Sequence, residues 1–447
     1  MKNKLILAFS LLCFVTMFSQ ENSQSFTLQE AIDYALEHNR TAKNAGRDIE
    51  AAKKQKWETI ATGLPQIDGS IDYKNSIKQQ VQVIPASAFG GPADEVNAVE
   101  FGLDQSVNAS ATLSQLIFDG SYLIGLQSAK VFLEISKNAK TKTDLEVRKA
   151  VINAYGNVLL AEESVNVLQK NKATLQKNLD ETTKIYENGL AEEESVEQLQ
   201  ITLSGIASSL SKTIRLKKLA YQMLNMNLGL DINNNTLLKD NLETLTAKNI
   251  DLGLVSQPFE IDNTIDYLIA ANDKTSKELL VKLEQSRALP TINTFLTGGY
   301  VSFSNDFDFL KSGQKYYGFG IFGASIKVPI FSSGLKSART QRAKIDLEKS
   351  KDDLTETEQR LKLQIASAKS DYQFAIEDYN NKKENLNLAE RIEKKNQTKF
   401  FEGITSSFEL RQAQIQLYSA QQEFLQSMLD VINNKAALET ISNSINY

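Results

Sequence analysis

The residues with the clearest chemical potential are carboxylates beside glycines. Glu402 and Glu409 flank Gly403, and Glu192–Glu194 follow Gly189. Carboxylates repeated around a symmetric opening favour cations, whereas carboxylates in the first turn of a helix offset the helix dipole. The sequence leaves two interpretations open: an acidic gate formed by Glu402 and Glu409, or charges that only support the starts of helices.

Other side chains that commonly carry chemistry are scarce. The chain has one cysteine, Cys13, within the apolar run that opens the sequence, and one histidine, His38. A lone histidine cannot build a histidine-rich metal site, and no phosphate loop, paired-carboxylate motif or nucleotide fingerprint is present. The sequence therefore predicts no enzyme, no metal site and no cofactor. The net charge of -5 argues against a nucleic-acid partner.

Residues 1–19 have the pattern of a secretory signal peptide. Lys2 and Lys4 precede an uncharged run from Leu5 to Phe18, and a small residue, Ser19, follows. The run is shorter than the ~20 residues that a membrane-spanning helix requires. The pattern predicts export with removal of this segment, which takes Cys13 with it and leaves no thiol for a disulfide.

Two long stretches without proline, 93–257 and 330–447, carry heptad repeats of apolar residues. In the first stretch these residues recur at positions 151, 158, 165, 179 and 186, with a second series three positions behind. Lys172 interrupts the repeat and is expected to point outward. Because proline breaks helices and heptads pack them side by side, the pattern predicts paired long helices that reverse near Gly189 and Gly403.

Ahead of each long helix, apolar and polar residues alternate with a period of two, which is typical of half-buried strands. In the first half the alternation covers 67–83 and 101–113, and in the second half it covers 292–303 and 322–330. The sequence thus predicts two β-hairpins, 65–118 and 290–331.

The two halves of the chain correspond to one another. Leu64-Pro65 matches Leu289-Pro290, and the segment from Tyr186 to Leu190 matches the segment from Phe400 to Ile404. Self-similarity of this kind indicates an internal duplication. The predicted organisation is a first repeat at 20–230, a linker or equatorial segment at 231–262 and a second repeat at 263–447. Each repeat contains a helix, a β-hairpin and a long helical pair, with tips near 189 and 403.

Four strands from one chain cannot form a closed wall in a membrane. Unpaired edge groups in hydrocarbon cost several kcal/mol each, so closure requires more copies of the chain. Two copies would give a barrel of eight strands, and side chains just fill the interior of a barrel of that size. Three copies would give twelve strands, and a barrel of twelve strands begins to be wide enough to conduct. The alternation of apolar residues with Asp, Ser, Asn and Lys suits a water-lined barrel.

Four segments of the chain carry a family resemblance: Phe26–Asn39, Leu64-Pro65, Ser114–Gly120 and Tyr186–Ala191. Together they resemble the TolC-like outer membrane efflux protein family, and the resemblance covers essentially the whole mature chain. The second repeat departs from the pattern, since its entry segment, 264–272, is degenerate and Ser332-Ser333-Gly334 replaces the expected Asp-Gly-Gly.

The resemblance implies a homotrimer in the outer membrane of a Gram-negative bacterium. Each chain would contribute four strands to a shared twelve-stranded transmembrane β-barrel and long helices to a periplasmic α-helical barrel. The expected role is a passive exit duct of a tripartite efflux or type I secretion system. A periplasmic adaptor and an inner-membrane pump of the RND or ABC type would be its partners, with outer-membrane lipid around the barrel.

The resemblance also assigns roles to the helical reversals. The expected adaptor contacts lie at the two hairpin tips: Tyr186, Gly189, Leu190, Phe400, Phe401, Gly403 and Ile404. Glu402 and Glu409 would then be candidates for a gate at the periplasmic mouth.

A structural or adhesive coiled-coil surface protein is the alternative. It would explain the export signal and the heptads. It does not predict two amphipathic hairpins that each lead into a helical pair free of proline.

Overall fold

A computed structural model describes residues 24–443; the predicted signal peptide lies outside the described residues. The chain divides into two compact units. The helical unit contains residues 24–49, 135–271 and 352–443, and the sheet unit contains residues 50–134 and 272–351.

Long helices dominate the chain, and their boundaries follow the proline-free stretches. The helices are α1 (Leu28–His38), α2 (Arg40–Ala61), α3 (Gly120–Glu187), α4 (Glu193–Leu228), α5 (Leu242–Lys248), α6 (Leu252–Ser256), α7 (Ile265–Ser286), α8 (Leu335–Phe401) and α9 (Ser407–Ser442). The helices α3 and α8 have 68 and 67 residues, and α4 and α9 have 36 each. These matched lengths are what a duplicated helical pair requires. Between residues 24 and 443, none of the helices is long and apolar enough to cross a bilayer.

The heptad residues of α3 form the centre of the helical core. Val151, Val158 and Leu175 are buried, as the repeat predicts. Lys172 is exposed, so the interruption points outward and leaves the apolar seam intact. On α8, Tyr372 is fully buried in the same cluster. Apolar burial along these seams is the main source of stability for helices of this length.

Two buried tyrosines attach the linker segment to the long helices. The Tyr155 hydroxyl of α3 lies 2.9 Å from both the Phe26 carbonyl oxygen and Asp240 Oδ2. Burial, followed by the neighbouring Asp240, raises the pKa of Tyr155 far above its ordinary value. On α8, the Tyr372 hydroxyl donates to the Asn249 carbonyl at 2.6 Å. The linker is therefore an ordered part of the helical unit.

The linker also contributes one strand to a pair that the sequence pattern does not reveal. β1 (Gln24–Phe26) runs parallel to β6 (Thr236–Leu238). Each strand has only three residues, which is too short for a period of two to be detected. Asp240 follows β6 and accepts a hydrogen bond from the Leu28 N–H at 2.7 Å, which ties the start of α1 to the linker.

The sheet unit holds a four-stranded antiparallel sheet in the order β2-β5-β7-β8. Its strands are β2 (Gln66–Asn75), β5 (Gln105–Asp119), β7 (Thr291–Ser304) and β8 (Tyr317–Lys327). β5 comes from the first repeat and β7 from the second, so their pairing joins the two hairpins. β2 and β8 form the edges of this sheet, and every residue of β2 is exposed.

The first hairpin differs from its prediction. The predicted strand at 67–83 is wrong as a single strand, because β2 ends at Asn75 and a separate β3 (Val81–Pro85) pairs with β4 (Val96–Glu100). The Ser76 N–H donates to the Asp104 carbonyl, which closes the main hairpin before the second ribbon begins. The polar run Lys78-Gln79-Gln80 breaks the alternation at this point.

A glycine at the end of α4 provides a test of packing in the helical unit. Gly229 has φ +83°, and a Cβ at this position would lie 2.5 Å from the His38 carbonyl oxygen. We expect Gly229→Ala to destabilise the protein by at least about 1–2 kcal/mol, because alanine disfavours this backbone conformation and would also displace the end of α1. Thermal unfolding in detergent, followed by far-UV circular dichroism, measures the change.

Gly46→Ala is the matched control. Nothing lies within 4 Å of a Cβ at Gly46, which is inside α2, so this change should be neutral or stabilising by up to about 1 kcal/mol. Equal unfolding temperatures for the two variants would contradict the packing described around Gly229.

Candidate functional site at the helical reversals

The first helical reversal is built around Gly189. This residue has φ +73°, a conformation that glycine adopts without a steric penalty. The Gly189 N–H donates to the Tyr186 carbonyl at 2.8 Å, and the Leu190 N–H donates to the Ile185 carbonyl at 3.0 Å. These two bonds satisfy the last carbonyls of α3 and end the helix in a Schellman motif.

The second reversal repeats the same construction. Gly403 has φ +72°, and its N–H donates to the Phe400 carbonyl at 3.0 Å. The Ile404 N–H donates to the Lys399 carbonyl at 2.8 Å. The sequence correspondence between the two tips is therefore also a correspondence of backbone hydrogen bonds.

The two return helices begin differently. At the start of α9, the Ser406 side chain accepts a hydrogen bond from the Glu409 N–H at 3.4 Å. At the start of α4, Glu192 occupies the capping position without a side-chain hydrogen bond to the helix. Glu409 thus lies in the first turn of a capped helix, where a carboxylate is stabilised by the helix dipole. Glu402 lies in the turn itself and is exposed.

The predicted contact residues separate into exposed and packed side chains. Leu190 is 80% exposed and Ile404 is 68% exposed. Tyr186 and Phe401 are also exposed, but less so. Phe400 is half-buried and faces a small cleft between the starts of α4 and α9. Exposed apolar side chains at both turns form a surface suited to a protein partner.

One aromatic residue at the second tip escaped the sequence analysis. Phe408 is exposed, and the Arg411 guanidinium lies 5.5 Å from the centre of its ring. A cation held over an aromatic face is stabilising and presents both groups together at the surface. Phe408 and Arg411 are three residues apart, which is the spacing of neighbours on one helix face.

A layer of buried polar side chains lies between the two helical pairs and was also missed. Gln414, Asn178 and Thr182 are almost completely buried. Gln397 Nε2 donates to Asn178 Oδ1 at 3.1 Å, joining α8 to α3. A signal was present in the sequence, because Thr182 follows Leu175 by seven residues and so occupies a seam position.

Glu393 on α8 belongs to the same region. Burial raises the pKa of Glu393, and an interaction with the Gln414 amide partly offsets this effect. Because the pKa of Glu393 is higher in the folded state than in the unfolded state, the folded protein favours the protonated carboxyl. The free energy of unfolding therefore increases as the pH falls through this pKa and decreases as the pH rises. Burial, followed by the charge of Glu393, also raises the pKa of Tyr418.

The reversals can bind and position a partner, but they offer no metal-ligand set. Across residues 24–443, no three His, Cys, Asp or Glu side chains are grouped closely enough to hold an ion. The chemistry available at the tips is therefore apolar contact, hydrogen bonding and the charge of Glu402 and Glu409.

The reversal at Gly403 predicts which substitutions the turn tolerates. Nothing in the chain lies within 4 Å of a Cβ at this glycine, so only the backbone conformation opposes a side chain. Gly403→Val should therefore destabilise the turn by about 1–2 kcal/mol, whereas Gly403→Asn should cost less because asparagine adopts this conformation more readily. Hydrogen exchange of amides 399–410 measures the local effect, and equal exchange in both variants would contradict the assignment.

A protein-family model described as outer membrane efflux protein matches residues 31–229 and 270–444. The outer membrane protein TolC of Vibrio cholerae is 24% identical over 247 residues, which are 53% of this chain and 54% of that protein. The chain thus spans about half the length of this curated relative in the alignment.

Solved structures with the same fold cover nearly all of the chain. CusC superposes with a TM-score of 0.74 at 17% identity, covering 93% of this chain and 91% of that one. VceC from Vibrio cholerae gives 0.72 at 16% identity, covering 93% and 95%. The CmeC outer membrane channel of Campylobacter jejuni gives 0.72 at 18% identity, covering 93% and 85%.

Proposed function

The chain belongs to the outer membrane efflux protein family, and we propose that it is a passive exit duct of a tripartite efflux or type I secretion system. Its place would be the outer membrane of a Gram-negative bacterium. Family membership supports transport rather than catalysis, because the TolC family is a family of channels. TolC-family channels form trimers, and we propose a homotrimer for this chain.

The observation that carries the proposal is a sheet with two open edges. β2 and β8 lie at the ends of the four-stranded sheet, and in hydrocarbon their outward N–H and C=O groups would cost several kcal/mol each if left unpaired. Pairing β8 of one copy with β2 of the next satisfies both edges. Three copies related by rotation then give a closed barrel of twelve strands with a water-filled interior.

The long helices continue directly from the strands. β5 ends at Asp119 and α3 begins at Gly120, so copies arranged around the barrel axis repeat their helices around that axis. We propose that α3, α4, α8 and α9 of three copies form the wall of a periplasmic α-helical barrel.

The proposed partners are inferred from two features of the chain: it has no nucleotide-binding motif, and its helical tips expose apolar side chains. No nucleotide motif occurs in the sequence, so the energy for transport must come from another protein. We propose an inner-membrane pump of the RND or ABC type and a periplasmic adaptor that docks on the exposed tip residues Leu190 and Ile404. The cargo is a substrate delivered by that pump.

Export by a deletion strain tests both the duct and the docking surface. Loss of the chain should raise accumulation of a fluorescent efflux substrate, and the wild-type chain should restore export. The double variant Leu190→Glu, Ile404→Glu should form a trimer in the outer membrane yet fail to restore export, because an apolar contact would have to desolvate two charges.

The matched control is Leu310→Glu, which changes an equally exposed apolar residue of the sheet unit. It should restore export fully. A tip variant that exports normally would refute the docking surface, whereas a wild-type chain that forms no trimer in outer-membrane fractions would refute the duct and favour the surface-fibre alternative.

The acidic gate has a separate electrical test. If threefold symmetry gathers Glu402 and Glu409 into rings at the mouth, they should favour cations. In planar bilayers with a salt gradient, the variant Glu402→Gln, Glu409→Gln should then shift the reversal potential towards zero, which is the value for a channel without ion selectivity. The variant Glu192→Gln, Glu193→Gln makes the same change at the other tip. An unchanged potential in the first variant would leave Glu409 only its interaction with the dipole of α9.

A further inference from the structure

A cavity of about 410 Å³ lies in the helical unit between α1, α3, α5 and α9. Its volume falls within the range of roughly 300–1,000 Å³ that small-molecule sites occupy. Neither the proposed closure of the barrel nor the proposed docking at the tips involves a side chain that lines this cavity. Its chemistry therefore points to a separate role.

One part of the cavity wall is apolar. It is formed by a buried, branched side chain from each of four helices: Ile32 of α1, Ile152 of α3, Leu245 of α5 and Ile432 of α9. Apolar walls of this kind bind the body of a ligand, and a few polar groups fix its orientation. The polar groups of this cavity are mostly charged.

The charged side chains of the cavity do not balance one another. Among the described residues, Arg148, Lys248 and Lys435 contribute positive charges to the lining, and Asp240 and Glu439 contribute negative charges. The lining therefore carries one surplus positive charge. A charge beside an apolar wall is unfavourable unless an ion of opposite sign pairs with it.

Both carboxylates of the cavity are already bound to groups of the chain. Asp240 Oδ2 accepts hydrogen bonds from the Leu28 N–H at 2.7 Å and from the Tyr155 hydroxyl at 2.9 Å. Glu439 Oε2 lies 2.8 Å from Arg148 Nη2, and the two side chains are only 8% and 13% exposed. Arg148 and Glu439 thus form a largely buried ion pair.

The surplus charge is carried by lysines. Among the described residues, Lys435 has no carboxylate within hydrogen-bond distance, because the nearest one, Glu439 Oε1, is 3.8 Å from its ammonium. The Lys435 side chain is only 16% exposed, and an ammonium with so little contact with water is stabilised by a counter-ion. Lys248 lines the same cavity from α5 and is exposed.

The guanidinium of Arg148 also has a donor without a partner. Its Nη1 is enclosed and makes no hydrogen bond to any described residue. An enclosed donor without an acceptor is unfavourable, and such groups in native proteins normally bind water or a ligand. Arg148 and Lys435 both contact Glu439, so their cationic groups lie together. This cluster is short of acceptors, as a site for an anion would be.

The size of the surplus charge distinguishes between classes of anion. A carboxylate carries one negative charge, which equals the surplus of the lining, whereas a phosphate group carries about −1.5 to −2 at pH 7. The apolar wall adds a second requirement, because inorganic phosphate has no apolar part to place against it. A carboxylate with an apolar body meets both requirements.

We propose that this cavity binds a monocarboxylate with a short apolar body, whose carboxylate supplies the missing acceptor beside Lys435 and Arg148. Lys248, at the exposed side of the lining, attracts the anion. The inference goes beyond the proposed duct and does not depend on it, because every residue of the site belongs to one copy of the chain.

Equilibrium dialysis of radiolabelled hexanoate against the purified full chain in detergent tests the site. We expect saturable binding that exceeds the uptake by detergent alone. Hexanamide, the neutral amide of the same length, should bind at least about tenfold more weakly, because it cannot neutralise the ammonium of Lys435. Inorganic phosphate should compete poorly, because it makes no contact with the apolar wall.

Substitution of Lys435 tests the assignment of the carboxylate. Lys435→Met keeps the length of the side chain and should weaken hexanoate binding at least about tenfold. The matched control is Lys172→Met, which removes an exposed lysine of the same unit outside the cavity and should leave binding unchanged. Lys248→Gln changes an exposed side chain and should weaken binding by a smaller factor. It keeps the test decisive if Lys435→Met does not fold.

The site would be refuted by a wild-type chain without saturable hexanoate binding, by equal binding of hexanamide, or by folded lysine variants that bind like the wild type. Phosphate that competes as strongly as hexanoate would overturn the monocarboxylate in favour of a phosphate ligand. Native mass spectrometry of the same samples separates this inference from the duct. A trimer that binds no hexanoate overturns the site alone, and hexanoate binding by a chain that forms no trimer overturns the duct alone.

Discussion

Backbone N–H and C=O groups along the outer edges of β2 and β8 need partners that the described sheet does not contain. Inside hydrocarbon this need decides the assembly, because water cannot replace the missing hydrogen bonds. In the proposed ring of copies, each edge would pair with the other edge of a neighbouring copy. Since α3 follows β5 directly in the chain, the same ring would give every long helix counterparts around one axis.

The helical unit meets a different requirement, which is to keep very long helices in register. Heptad burial provides stability along α3 and α8 but tolerates sliding between equivalent turns. Tyr155 and Tyr372 oppose sliding, because their hydroxyls donate to Asp240 and to the Asn249 carbonyl of the linker. The buried Asn178 and the half-buried Gln397 add a polar contact that only one register satisfies.

The sequence was sufficient for features encoded by local repetition. Proline-free heptads predicted the long helices that are seen as α3 and α8, and Gly189 and Gly403 marked both reversals. The sequence did not predict features that depend on residues far apart in the chain or on very short segments. β1 pairs with β6, some 200 residues away, over three residues. β3 separates from β2 after a backbone bond from the Ser76 N–H to the distant Asp104 carbonyl.

At the tips, the sequence identified the turn but not the surface around it. Phe408 and Arg411 are ordinary helix residues until the fold places one over the other. Thr182 and Gln414 are polar residues that the sequence analysis did not single out, and their burial shows that they belong to the interface between the helical pairs. Local patterns thus predict elements better than they predict which polar residues the elements enclose.

The unequal starts of α4 and α9 give the two halves of the duplication different mechanical characters. A serine cap such as Ser406 stabilises a helix start by about 1 kcal/mol, and Glu192 offers no comparable bond. Fraying is therefore expected to be greater in the first hairpin than in the second. The two ends of the duplication thus differ in compliance, although their reversals share the same backbone hydrogen bonds.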